Sequence, residues 1–336
     1  MQKRQLTILS LVLVGSTLFM GCGKNRTYTK IDGFAQGTTY SITYYDSLNR
    51  NFAHGIDSIL DAVDYSMSIY NDTSIITRVN KNLTDTVDVL LANVIKLSQV
   101  INEQTEDAFD ITVGPVVRML GFGPDKTKGI DSAAILKLRP LLGMDKIKLE
   151  DYKLIKSNPE IQIDVNAIAQ GYTSDLVADY FKSKGLKHFL VEIGGEIVAC
   201  GLNPSDEPWV IGVDKPVEGA LPGEELQVKL SLTNSLGLAT SGNYRKFVEV
   251  NGVKYAHTIN PKTGFPVLSD LLSATVIAPT AAQADAYATA FMVKGLDWSK
   301  KFIENHPTVG AYLISSDSTG SYKVWSSPAV DKLIVE

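Results

Sequence analysis

The chain has 336 residues, 44% hydrophobic and 21% charged, enough to bury a substantial core and too few charges for a disordered polyelectrolyte. Lys and Arg number 32 against 37 Asp and Glu, a formal charge of −5 with no basic cluster, so nucleic acid is excluded as a natural partner. The two cysteines, Cys22 and Cys200, support neither a disulfide framework nor a Cys/His zinc site.

The first residues read as a targeting segment. "MQKRQ" is a basic start, and "LTILSLVLVGSTLFM" is an apolar run too short to be a comfortable membrane span. Cys22 follows the small Gly21, so residues 1–21 resemble the signal peptide of a bacterial lipoprotein, with Cys22 lipidated as the first mature residue. Phe19 stands where leucine is usual in such signals. An ordinary secretory signal with a chance cysteine is the alternative. Removing residues 1–21, with Lys3 and Arg4 and no acid, makes the chain two units more negative. Residues 22–30 are polar and read as a tether, and 31–336 as the folded domain.

From Ile31 onward, short β-rich runs alternate with helices. "TTYSITYY" (38–45) predicts a strand. "FAHGIDSILDAVDYSMSIY" and "VDVLLANVIKLSQVINEQT" predict amphipathic helices, and "AAILKLRPLLG" a shorter one. "KIKLEDYKLIKSNPEIQIDV" predicts two or three strands around an Asn-Pro turn. "AIAQGYTSDLVADYFKSKG" predicts a helix capped by Asn166 and closed by Gly185. Strands are expected in "HFLVEIGGEIVACG", "WVIGVD", "LQVKLSLTNSLGLAT", "KFVEVNGVKYAHTI" and "LLSATVIAPT", with Cys200 a small buried residue. A helix, "AAQADAYATAFMVKG", follows, and "VGAYLISS" and "YKVWSS" finish the sheet. Adjacent strands favour an α+β fold, expected here as two sheet-containing lobes with packed helices. No GxGxxG follows a strand and no GxxxxGK[ST] occurs, which disfavours the common dinucleotide and P-loop folds.

One helix carries an anomaly. Stepping 100° per residue, Ala281, Ala282, Ala288, Met292 and Val293 fall around Asp285 and Thr289, while Gln283 and Lys294 fall opposite. A carboxylate in an apolar stripe needs a neutraliser: a base, a proton or a metal ion. Asp285 and Thr289, at i and i+4, stand about 5–6 Å apart at Cβ. An acid, a hydroxyl and backbone carbonyls form an all-oxygen set suited to Mg²⁺ and not to zinc. The plain alternative pairs Asp285 with an unrelated base and lets Thr289 bond the previous turn.

Three other stretches concentrate loop chemistry. "YAHTINPKTGFPV" sets His257, one of four histidines, before an Asn-Pro and Thr-Gly turn. "AFDITVGPVV" places Asp110 after the long helix, and "IDVNAIAQGY" places Asp164 before a helix start that could hold phosphate.

In order along the chain, "SIYNDTSIITRVN", "AFDITVGPVV", "IDVNAIAQGY", "LVEIGGEIVACG", "ATSGNYRKF", "HTINPKTGFPV" and "DAYATAF" resemble the ApbE family over about residues 31–320. Its members are Mg²⁺-dependent FAD:protein FMN transferases, often exported as lipoproteins. The resemblance implies Mg²⁺ held by the Asp285 and Thr289 side chains and the Ala167 and Ala288 backbone oxygens. It implies flavin contacts at Gln36, Tyr70, Ala108, Phe109, Asp110, Asp164, Gln170 and Ile259, with FAD as substrate in a cleft between the lobes. Phe109 or Tyr70 is expected to stack on a ring of the flavin dinucleotide. Many relatives carry Met in place of Gln36, and Lys or Glu in place of Gln170. The implied reaction joins FMN by a phosphoester to a Thr or Ser hydroxyl of a partner protein and releases AMP, with Asp285 catalytic through the metal. His257 is expected as proton acceptor, or else as a structural residue. The implied partners are exported or membrane redox proteins bearing a Ser/Thr-Gly-Ala-Ser/Thr acceptor, such as subunits of sodium-pumping or electron-transfer complexes. The implied location is the bacterial cell envelope, on a lipid anchor facing the periplasm. Mg²⁺-dependent FAD hydrolysis to FMN and AMP, and a non-catalytic flavin-binding lipoprotein, are the alternatives.

Overall fold

The computed structural model describes residues 26–121, 131–217, 219, 221, 223–243, 247–250, 253–256, 258–267, 269–317, 319 and 321–336, with backbone alone at 247–250 and 253–256. The expectations at Cys22 and His257 lie outside the described residues, as does the signal segment.

Strands β1 (Tyr28–Ala35) and β2 (Thr38–Tyr45) form a hairpin whose two-residue turn, Gln36-Gly37, has φ of 52° and 74°. Positive φ at both positions matches the right-handed twist of the paired strands. Tyr28–Lys30, expected within the tether, are the first residues of β1. Tyr28 is held there by its hydroxyl donating to the Leu202 carbonyl at 2.7 Å. A half-exposed edge strand offers little hydrophobic alternation, so its start is faint in the sequence.

Helices α1 (Ala53–Met67), α2 (Ile75–Asn80) and α3 (Val89–Gln104) follow; Ser74 and Asp88 cap the last two by accepting from Thr77 and Leu91 N–H. Short helices α4 (Gly114–Met119) and α5 (Ser132–Leu138) precede the hairpin β3 (Ile147–Glu150) and β4 (Lys153–Lys156). This hairpin turns at Asp151-Tyr152, with φ of 42° and 64°, and not at Asn158-Pro159. Next come α6 (Ala169–Ser183), β5 (His188–Ile193), β6 (Glu196–Cys200), β7 (Trp209–Asp214), β8 (Leu226–Leu232) and β9 (Asn234–Gly242). The chain ends with β10 (Phe247–Val250), β11 (Val253–Ala256), β12 (Leu271–Ala278), α7 (Ala281–Lys294), α8 (Leu296–Asn305), β13 (Gly310–Ser316), β14 (Tyr322–Ser326), α9 (Pro328–Asp331) and β15 (Ile334–Val335).

The fold is α+β, as expected from the element order. Eight strands pair antiparallel in the order β1-β2-β5-β6-β9-β12-β13-β14, an increasing series in which each long excursion returns beside the strand it left. The largest excursion, α1 through α6, leaves after β2 and returns at β5. Alternation sorts the faces. Ala274, Val276, Ala311 and Leu313 join α3, α7 and α8 in one apolar cluster. Their neighbours Ile277, Tyr312 and Ile314 meet Trp209, Ile211 and Leu230 of the three-stranded sheet β15-β8-β7 on the other face. A further cluster packs Ile42, Tyr44 and Phe189 of the sheet on Ile56 of α1 and Phe181 of α6.

Helix α7 departs from its sequence reading. It is buried on nearly every side, Ala284 and Ala286 included, because it lies on β9 and β12 and touches α3, α6 and α8. Alanine is what permits this: small side chains let strands and helices approach one helix from all sides. Cys200 is half-buried and reduced, and burial pushes its thiol up.

Candidate functional site

The site is built where the start of α6 meets α7. Before α6, Asp164 Oδ1 accepts from the Asn166 N–H at 2.9 Å, and the Ile168 and Ala169 N–H groups donate to the Val165 carbonyl. Asp164 therefore caps this turn; Asn166, expected in that role, is exposed and Ile168 stands at the helix start without a side-chain bond. The turn carries Ala167, whose oxygen belongs to the implied metal set. In the first turn of α6 the Gly171 N–H donates to Asp285 Oδ2 at 3.3 Å. The Asp285 carboxylate thus faces the positive end of a helix dipole.

Asp285 is 6% exposed, and among the described residues no lysine or arginine pairs with it. Burial raises its carboxyl to about 7, against the pull of the Gly171 N–H and with a further push from Asp175. One turn on, the Thr289 hydroxyl lies 3.4 Å from Ser241 Oγ of β9. The Ala288 carbonyl is in the helix interior, where one lone pair remains beyond the helical bond. No group of three or more His, Cys, Asp or Glu side chains that could hold a metal gathers among the described residues. A carboxylate, a hydroxyl and carbonyls are instead what Mg²⁺ takes, with water completing its shell, so the residues present fit that ion and not zinc.

Most of the residues at which flavin contacts are expected fall on α6, on the turn before it, or on segments hydrogen-bonded to these. Gln36, at the β1-β2 turn, donates through Nε2 to Thr173 Oγ1 at 2.8 Å, which ties the hairpin tip to the first turns of α6. Gln170 is half-buried, its amide beside the Gly194-Gly195 turn of β5 and β6. The Asp164 N–H donates to the Ile111 carbonyl at 2.7 Å, which joins the Asp164 turn to the Ala108–Asp110 segment. Asp164 is buried and its carboxyl is raised by that burial, with Arg118 pulling it back down. Asp110 accepts from the Thr112 N–H and hydroxyl at 2.7 and 2.6 Å, and burial lifts it to about 6 against those bonds. Beyond Asp110 a cleft of about 720 Å³ opens, lined by Asn102, Arg139, Gly143, Lys146 and Lys262 among others. Ile259 is buried in the adjacent cluster with Ile135 and Leu142.

Two expectations separate here. Tyr70 is 63% exposed, and partial burial together with the Asp164 charge raises its phenol, so its ring stands at the surface beside Asp164. Phe109 is 2% exposed inside the main core, with its N–H donating to Thr105 Oγ1 and its carbonyl accepting from Asn102. Its ring cannot stack on a ligand. Phe109 holds the segment down while Asp110, itself buried, lines the inner edge of the cleft.

The sequence reading also missed residues. Ser241, inside the quoted "ATSGNYRKF", sits against Thr289. Gly171 and Asp175 approach α7 directly. A glycine in a helix interior, which lowers stability unless closeness requires it, was the available signal for Gly171.

With the geometry in place, comparison with known proteins identifies the relatives. The ApbE family model matches residues 36–313. An FAD:protein FMN transferase of Haemophilus influenzae is 35% identical over 327 residues, 93% of each chain. The protein of the same name from Escherichia coli is 29% identical over 96% of each chain. The flavin transferase ApbE of Vibrio cholerae superposes with a TM-score of 0.82 at 30% identity, covering 92% of this chain and 99% of its own.

Proposed function

The chain belongs to the ApbE family, and we propose that it moves FMN from FAD, with Mg²⁺, onto a Thr or Ser hydroxyl of a partner protein and releases AMP. The chain is an FAD:protein FMN transferase, which makes FAD a substrate and a protein the acceptor. The metal, the phosphoester to a hydroxyl and the leaving AMP are the finer reading.

One observation carries that reading. Asp285 is a buried carboxylate, without a cationic partner among the described residues, one helical turn from Thr289. A site that costs this much to keep charged is accounted for by a cation supplied from outside. Asp285, Thr289 and the carbonyls of Ala167 and Ala288 would hold it. Bound there, Mg²⁺ would supply positive charge to neutralise the pyrophosphate and stabilise the leaving phosphate.

The chain's own groups do the rest. Tyr70 offers an exposed ring for stacking, and Asp110 and Asp164 supply acceptors along the path to the cleft. The acceptor hydroxyl oxygen forms a bond to the FMN-side phosphorus, and the bridging bond to the AMP-side phosphate breaks with its electron pair going to AMP. The hydroxyl proton goes to a base, a role we assign to His257, outside the described residues. The partners in this reading are exported or membrane redox proteins with a Ser/Thr-Gly-Ala-Ser/Thr acceptor. Lipidation at Cys22 keeps the enzyme at the cell envelope, facing the periplasm.

The test uses the full chain in detergent with FAD, Mg²⁺ and a client bearing the acceptor motif, read by mass spectrometry. FMN on the client hydroxyl, with one AMP per transfer and loss of both in EDTA, is expected. FMN and AMP with unmodified client would assign hydrolysis instead, and intact bound FAD would assign a binding protein. Full activity in Asp285→Ala would remove the metal assignment.

A further inference from the structure

The first turn of α7 is held in an unusual way. The Asp175 carboxylate, from α6, accepts from the Ala281 N–H at 2.8 Å through one oxygen and from the Ala282 N–H at 2.9 Å through the other. The same turn lies in a slot between two glycines. A methyl on Gly171 of α6 would collide with the Ala281 carbonyl and stand 2.8 Å from Ala282 Cα. A methyl on Gly237 of β9 would collide with the backbone of Thr280 and Ala281. Backbone therefore meets backbone on both sides, and no side chain can act as a compressible spacer.

Helix closure does not require Asp175. Thr280 already caps α7, its Oγ1 accepting from the Gln283 N–H at 3.2 Å and its carbonyl from the Ala284 N–H at 3.1 Å. A two-oxygen clamp on consecutive N–H groups does something a simple cap does not: it fixes both the rotation and the axial position of the helix. Gly171 and Asp175 are one turn apart on one face of α6, and Ala281 and Asp285 one turn apart on α7. Asp175 grips Ala281 while Gly171 N–H bonds Asp285, so the helices run antiparallel here. One more turn along α7 carries Thr289 past Asp285 in the direction of the start of α6, before which the Ala167 turn stands.

We propose that Asp175 is a positioning residue that sets the register of α7 on α6, and thereby places the Asp285 carboxylate and Thr289 hydroxyl against Ala167 and the first turn of α6. Both carboxylate oxygens of Asp175 are engaged by the backbone of α7. Asp175 acts on the three implied ligands of α7, Asp285, Ala288 and Thr289, through the helix backbone, which transmits an axial shift undiminished to the second and third turns. This inference rests on the Mg²⁺ reading of the site.

The test measures metal binding directly, by the loss of the free Mn²⁺ paramagnetic resonance signal, on the full chain with saturating FAD. Wild type, Asp285→Ala, Asp175→Ala and Asp175→Asn are compared, with a melting curve for each. Asp175→Ala is expected to weaken Mn²⁺ binding about 10- to 100-fold, the range for residues that orient metal ligands. Asp175→Asn, which keeps one acceptor oxygen, recovers part of this and decides the matter if the alanine variant does not fold. Turnover lost in either variant returns at high Mg²⁺. Folded Asp175 variants with wild-type Mn²⁺ affinity, even at a lowered melting temperature, overturn the inference and leave the metal reading standing. Wild type that binds no more Mn²⁺ than Asp285→Ala overturns both.

Discussion

Replacing Asp285 with Asn separates the charge of the site from its shape, since the amide nearly matches the carboxylate in size. In the metal-free chain, burial raises this carboxyl from 3.8 to about 7, while the unfolded chain keeps an ordinary value. Between those two values the unfolded state binds fewer protons than the native state, so stability falls as pH rises and the loss is complete above the folded value. From pH 5 to pH 8 only the interval up to about 7 contributes. At about 1.4 kcal/mol per unit, wild type loses on the order of 3 kcal/mol that Asp285→Asn keeps. Asp175 and Asp110, each raised to about 6 by burial, titrate in both proteins and largely drop out of the difference. Any fixed cost of the amide in that pocket drops out as well. The assay is urea unfolding of both proteins in EDTA at pH 5 and pH 8. Saturating Mg²⁺ at pH 8 should then stabilise wild type and leave the variant unchanged. An equal pH dependence in the two metal-free proteins would refute the reasoning, because it would mean that Asp285 ionises as easily folded as unfolded.

Gly171→Ala should destabilise by about 1–3 kcal/mol, the usual range for overpacking, and should weaken Mg²⁺ activation, since the intruding methyl meets the backbone of α7; melting curves and Mg²⁺ titrations of turnover check it. Tyr70→Ala should raise KM for FAD roughly 10-fold, the worth of one stacking contact at about 1–1.5 kcal/mol, with Tyr70→Phe close to wild type. A phenylalanine variant as impaired as the alanine one would assign the role to the hydroxyl. Cys22→Ser should abolish labelling by a radioactive fatty acid and release the protein from the membrane fraction, whereas retention there would point to an uncleaved anchor.

The sequence by itself determined the local grammar and the chemical inventory. The strand at 38–45, the amphipathic helix that becomes α3, the close of α6 at Gly185 and the Asp285–Thr289 pair all depend on neighbours within a few residues. Such signals survive without tertiary context because backbone sterics and periodicity act over one turn. It also placed an acid where water is scarce, and the resemblance in its motifs pointed to the metal. Only the tertiary structure decided what surrounds that acid. The bonds from Ala281 and Ala282 to Asp175 cross more than one hundred residues of sequence, and the glycine slot joins α6, α7 and β9 from three separate stretches. Phe109 and Tyr70 are alike as aromatic letters, yet burial leaves one in the core and one at the surface. The all-round burial of α7 likewise exceeds what a helical wheel can report, because a wheel knows the helix and not the strands and helices packed on it. Contacts between distant segments are chosen by collective packing, a property of the whole chain that no single stretch contains.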